Sequence, residues 1–279
     1  MTTEDAEGLE PADDPLDDFE RRELSLEGTA RTVLVTGHGP AVIVMPEMPG
    51  VSPDVARFAR WIRDAGFAVY VPSLFGRDGA YPRAREGLVV LQRACVASEF
   101  SALAAGVSAP VTSWLRALAR LAHEERGGPG VGAIGMCFTG NFALSMMLEP
   151  ATLAPVLCQP SLPLSDPTAL AMPAGELAVV RERLEKEDLS VLAYRFEGDR
   201  HCPAGRFRAY AAALGDRFLP RVLPDSAANG RPPPFFAEIV ACPHSVVTAH
   251  LAFAEGSPTL AARDEILSFL NQRLRGDRP

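Results

Sequence analysis

The stretch Val131-Gly132-Ala133-Ile134-Gly135-Met136-Cys137-Phe138-Thr139-Gly140 runs apolar up to a cysteine, places glycines around it and continues into residues that can start a helix. A strand, a tight turn and a helix with a nucleophile at the apex is the pattern of the G-x-S-x-G elbow, here with a thiol in place of the hydroxyl. Glycines matter because the apex residue holds a strained backbone while strand and helix approach each other closely. The reading predicts that Cys137 projects from the end of a strand, with the backbone N–H of Phe138 opening the helix behind it. A lone cysteine is more often a buried core thiol. The glycines and the strand–helix junction are what favour a nucleophile, and with it a hydrolase.

Two further segments follow in the chain order nucleophile, acid, histidine of an α/β-hydrolase. Residues 191–196 read as a buried strand, and Glu197-Gly198-Asp199 as the turn at its end, which makes Asp199 the candidate acid. Glu197 and Asp225 compete with it, because turn aspartates are often only structural. Residues 235–241 read as another strand, followed by Cys242-Pro243-His244-Ser245, with His244 as the candidate base and His201 as a supporting or surface group. All three groups then leave the same end of a parallel sheet, where open α/β sheets place their sites.

The blocks Gly135-Met136-Cys137-Phe138-Thr139-Gly140, Gly198-Asp199 with Pro203, and His244-Ser245 resemble the dienelactone hydrolase family, as does Ala41-Val42-Ile43-Val44-Met45-Pro46-Glu47-Met48-Pro49-Gly50-Val51. The resemblance runs in order over roughly residues 28–275. It implies an α/β-hydrolase fold and cofactor-independent opening of a lactone or small ester through a thioester on Cys137. It further implies that Glu47 lies beside the nucleophile and holds the resting thiol neutral, since a nearby carboxylate disfavours the thiolate. The alternative for Glu47 is a strand-end ion pair, with Arg77 as its partner. Met48 would offer a second oxyanion N–H opposite that of Phe138. A carboxylate-bearing substrate needs a cationic clamp, for which Arg77, Arg83, Arg85 and Arg93 lie in the right region. The chain departs from the family at Thr139, where a second glycine is usual, and at Thr248, where an arginine is frequent. A thioesterase or other acyl-transfer enzyme would use the same triad, and a non-catalytic binding or regulatory protein could keep the fold. Cys137, Cys202, Cys242 and His244 have no zinc-site spacing, so no metal or cofactor is expected.

Composition sets the remaining bounds. The 279 residues, 47% of them apolar, suffice for one α/β domain over residues 23–279. The net charge of −8 is concentrated at the start, where residues 1–20 hold nine carboxylates and no basic group, so residues 1–22 are expected to form a solvated acidic tail. Acidity argues against nucleic acid as a partner; a small-molecule ester or lactone is the partner that the resemblance implies. No signal-like segment and no apolar run of about 18 residues is visible, so a cytoplasmic protein away from the membrane is expected. Five scattered cysteines fit reduced thiols.

Strands are expected at 32–35 and 41–45 around a hairpin-like Gly37-His38-Gly39-Pro40 turn, and at 67–71 and 154–158. Helices are expected at 55–65 after Ser52-Pro53, and at 86–106, 109–125, 138–148, 174–187, 204–214 and 258–274. The alternation predicts a mostly parallel sheet with helices on both faces. Residues 221–234 read as a long irregular loop that could lie over the site.

Overall fold

The computed structural model describes residues 12–101 and 103–276. Eight strands form one sheet: β1 (Glu20–Leu26), β2 (Thr29–Thr36), β3 (Ala41–Met45), β4 (Ala68–Pro72), β5 (Val131–Met136), β6 (Thr152–Cys158), β7 (Val191–Phe196) and β8 (Phe218–Leu223), in the spatial order β1-β2-β4-β3-β5-β6-β7-β8. From β4 to β8 the neighbours are parallel, while β1 and β2 run antiparallel at one edge. Every residue of β3, β4, β5 and β7 is buried, as continuous apolar runs covered on both faces must be.

Side chains alternate between two cores. Val42, Val44 and Ile134 pack with Val55, Phe58 and Ile62 of α1 (Pro53–Asp64) and with Ile266 and Leu270 of α7 (Pro258–Leu274). Ile43, Ala133 and Leu157 face the opposite layer, which holds α3 (Val111–Arg126), α4 (Gly140–Ser145), α5 (Ala174–Lys186) and α6 (Ala204–Leu214). Ser52 caps α1 by accepting from the Val55 amide at 3.2 Å. No helix among the described residues is long and apolar enough to cross a membrane.

Several expectations change. β2 and β3 do not form a hairpin, because β4 lies between them and the Gly37–Pro40 turn leads into a crossover. A turn signal marks where the chain bends, not which strand becomes its neighbour. The hairpin is β1–β2, turned by Glu27 and Gly28 at φ 48° and 75°, the left-handed pair that a two-residue loop requires. β1 therefore begins inside the predicted acidic tail. Residues ahead of it are also held down: Arg60 binds Asp14 and Asp18 at 2.6 Å each, Arg77 binds Asp13 at 2.6 Å, and Leu16 and Phe19 are buried. Residues 1–11, the rest of that tail, lie outside the described residues.

The helix expected over 86–106 is α2 (Ala84–Val96), which stops where Ala97 turns extended at ψ 122°. The strand expected over 235–241 is a turn of π-helix, Phe235–Val240, behind three consecutive prolines. A short apolar run has no decisive period, so length and flanking prolines had to arbitrate. The parallel strand before the histidine is β8, whose Pro220 is tolerated because β8 is the sheet edge. β8 takes the first three residues of the predicted 221–234 loop.

Glycine is obligatory at the elbow. A Cβ at Gly135 would meet the Thr139 carbonyl oxygen at 2.2 Å, and one at Gly140 would meet the Pro160 Cα at 2.6 Å. Backbone cannot move aside as a flexible side chain can. Gly135→Ala is expected to cost about 3 kcal/mol and to lower the melting temperature by roughly 6–12 °C, read by thermal denaturation; an unchanged midpoint would refute the close approach.

Candidate active site

Cys137 follows β5 directly, with φ 54°, left-handed backbone that an L-residue rarely adopts. Thr139 secures this turn. Its hydroxyl accepts from the Met136 amide at 2.9 Å and donates to the Met45 carbonyl at 3.0 Å, tying the elbow to the end of β3. The threonine that departs from the family pattern thus has a definite structural use.

Asp199 and His244 come together as the sequence predicted. Asp199 Oδ2 accepts from His244 Nδ1 at 2.7 Å, and Oδ1 accepts the amides of His201 (2.9 Å) and Cys202 (3.0 Å). Both side chains are buried. Burial alone would raise Asp199, but the His244 charge and these hydrogen bonds hold its carboxyl below the usual range. Burial likewise opposes a charged imidazole, yet Asp199 and Cys137 outweigh it and raise His244 well above an ordinary histidine. The second ring nitrogen, Nε2, is buried and makes no hydrogen bond of ordinary geometry among the described residues. Glu197 is exposed, and Asp225 supports the acid turn by accepting the Gly198 amide at 2.8 Å. His201 packs edge-on to His244 with ring centroids 5.4 Å apart and bonds the Val240 carbonyl at 3.1 Å, which joins the histidine pair to the π-helix.

Glu47 follows β3 and is buried, but it turns toward the histidine loop. Its carboxylate accepts from Ser245 Oγ at 2.6 Å, Gln159 Nε2 at 3.2 Å and the Thr248 hydroxyl. Among the described residues no hydrogen bond or ion pair joins Glu47 to Cys137, or to Arg77, which is taken by Asp13. The carboxylate near the thiol thus has its hydrogen bonds on the other side, toward the histidine loop and Gln159. Thr248, where an arginine was expected, satisfies Glu47 with a neutral donor. Burial pushes the Glu47 carboxyl up to about 7, against the lowering effect of Ser245 and Thr248.

Cys137 and His244 open into a cavity of about 110 Å³. Phe138 and Met48, the expected oxyanion donors, line it with them, and Phe235, Phe236, Ile239 and Val240 form an apolar wall. None of the four candidate arginines lines it. Arg77 and Arg83 both pair with Asp13, Arg85 is exposed, and Arg93 borders a separate groove beside Phe75 and Phe100. The π-helix, rather than the 221–234 loop, forms the wall, and Ser161 enters the cavity from the segment after β6. The sequence reading missed Ser161, Gln159 and Ser245, whose only signal was proximity to a strand end or to the histidine.

A family model for the dienelactone hydrolase family matches residues 29–171, just over half of the chain, including the elbow and Glu47. The chain belongs to the dienelactone hydrolase family. Solved structures share its fold. Dienelactone hydrolase from Anabaena variabilis is 15% identical with a TM-score of 0.58, covering 92% of this chain and 100% of its own. A dienelactone hydrolase-like promiscuous phosphotriesterase from metagenomic libraries is 18% identical with a TM-score of 0.57, covering 90% and 98%. An α/β serine hydrolase without a lid from Xanthomonas campestris is 13% identical with a TM-score of 0.53, covering 94% and 98%. No curated protein matches the sequence.

In this member of the dienelactone hydrolase family, Glu47 links stability to pH. Its folded pKa of about 7 lies above its ordinary value of 4.5, so the folded state keeps the proton longer than the unfolded chain. Its contribution is full below 4.5 and is lost as pH rises through 7. The loss amounts to about 3 kcal/mol. Glu47→Gln is expected to remove this slope, gaining about 3 kcal/mol on the wild type between pH 4.5 and 7 in urea unfolding; a difference that stays constant across the window would overturn the assignment.

Proposed function

We propose that this dienelactone hydrolase family member opens small neutral esters or lactones through a thioester on Cys137, with His244 as base and Asp199 as the carboxylate that orients it. One observation carries the reading. Nδ1 of His244 is committed to Asp199, while Nε2 is buried and accepts or donates no hydrogen bond of ordinary geometry among the described residues, and the Cys137 thiol that helps to hold the imidazole charged lines the same cavity. A buried nitrogen without a partner is costly unless a reacting group uses it.

The chemistry follows from these atoms. The Cys137 proton passes to His244 Nε2, and the thiolate attacks the substrate carbonyl. Negative charge on the carbonyl oxygen is met by the backbone N–H groups of Phe138 and Met48. Collapse breaks the C–O bond, and His244 returns its proton to the leaving oxygen, which stays on the acyl chain if the substrate is a lactone. Water, deprotonated by the same nitrogen, then cleaves the thioester and restores the thiol. Asp199 keeps Nδ1 protonated throughout.

Cavity chemistry supports a neutral substrate. The wall is aromatic and aliphatic, and among the described residues no arginine or lysine lines the cavity, so a carboxylate there would be desolvated without a cationic partner. A volume of about 110 Å³ suits an acyl group of a few carbons.

The test is hydrolysis of p-nitrophenyl acetate, butyrate and hemisuccinate and of neutral lactones, with intact mass after stopped turnover. Cys137→Ala and His244→Ala are each expected to lower kcat/KM by about 10³-fold or more, with an acyl adduct on Cys137 in the wild type. The anionic hemisuccinate is expected to run roughly 10-fold or more below the butyrate. Full activity in Cys137→Ala would remove the nucleophile from the reading, and a preference for the hemisuccinate would remove the neutral substrate.

A further inference from the structure

Arg206 of α6 is 1% exposed and has no ion pair among the described residues. Its guanidinium donates instead to backbone carbonyls of one segment: Ala169 at 2.8 Å, Pro163 at 2.9 Å, Ser161 at 3.5 Å, and Leu162. Burying a guanidinium without a counter-charge is unfavourable. The fold retains one here, and its fan of donors fixes the course of the chain just after β6.

That chain segment leads to the nucleophile. The Ser161 amide donates to the Cys137 carbonyl at 3.0 Å, and Ser161 Oγ lies 3.6 Å from Cys137 Sγ, within hydrogen-bond range for sulfur. Ser161 is 5% exposed and lines the reactive cavity. Two residues earlier, Gln159 donates to Glu47 at 3.2 Å and accepts the Val246 amide at 3.4 Å, so the same segment is also braced against the histidine loop. The hydroxyl is thus held at the sulfur from both sides.

We propose that Ser161 is a further catalytic residue, whose hydroxyl donates a hydrogen bond to the Cys137 thiolate once the thiol proton has moved to His244, and that Arg206 is its positioning residue. The inference rests on Cys137 as the nucleophile. In the neutral thiol the contact is weak whichever atom donates; in the thiolate it becomes charge-assisted, so it favours the ionised form. The same bond lowers the intrinsic nucleophilicity of each thiolate, by about threefold for a tenfold gain in ionised fraction. Below the thiol's titration midpoint the gain in population prevails, and above it the loss of nucleophilicity prevails.

This trade gives a signature that a purely structural role does not. Alkylation of Cys137 by iodoacetamide, followed by mass spectrometry across the pH range, needs no substrate and reports both quantities. Ser161→Ala is expected to move the midpoint up by about one pH unit, to slow alkylation about threefold below the midpoint and to speed it about threefold above. kcat/KM below the midpoint is expected to fall about threefold in parallel, and Ser161→Thr to restore the wild-type profile. Arg206→Met is expected to shift the midpoint the same way with the serine intact; if that variant fails to fold, Ser161→Ala alone decides. A midpoint unmoved by Ser161→Ala overturns the proposal. Hydrolysis retained by Cys137→Ala would sink the nucleophile assignment instead, and the alkylation curve keeps the two failures apart.

Discussion

Cys137 sits in left-handed backbone between β5 and the helical turn behind it, and that conformation is possible only because neither Gly135 nor Gly140 carries a Cβ. The constraint is steric and local, yet much else is arranged around it. With the turn fixed, the thiol leaves the sheet at the carboxyl end of a central strand, where the loops after β3, β6 and β7 also emerge. Glu47, Met48, Ser161 and Asp199 reach the same place because their strands end there. Thr139 adds the cross-tie to β3, so Cys137 and the loop carrying Met48 cannot drift apart independently.

Electrostatics at this edge is divided between two carboxylates that differ in company. Asp199 is held ionised by the imidazole and two amides, whereas Glu47, served only by neutral donors, is pushed up to about 7 by burial. Two acids a short distance from one histidine therefore behave differently, because one has a cationic partner and the other has hydroxyls and an amide. Thr248 completes a network of neutral donors around Glu47.

Much of this was legible in the sequence, for physical reasons that can be named. Strands β5 and β7 read clearly because both faces are buried and their ends are marked by glycine, and Asp199 and His244 followed from chain order. The glutamate's partners were not legible: Ser245 and Thr248 lie about two hundred residues away, and only tertiary packing brings them to Glu47. Arg206 was equally hidden, since a charged side chain in a helix reads as solvent-facing until the carbonyls that receive it are known. The arginine clamp failed for the opposite reason. Arg77 and Arg83 were free on paper, but Asp13, from the segment read as a solvated tail, takes them both. The π-helix was missed because a run of six residues, five of them apolar, is too short to choose between two periods.

That π-helix, Phe235–Val240, lies outside residues 29–171, where the chain matches its family, while the elbow and Glu47 lie inside them. The wall that shapes the cavity and the thiol that opens into it thus belong to separate lengths of chain. The π-helix is joined to His244 through His201 and the Val240 carbonyl, not through the sheet. Because the wall hangs on side-chain contacts and not on strand pairing, its apolar residues can change, and the shape of the cavity with them, without disturbing the sheet that holds Cys137 and Glu47 in place.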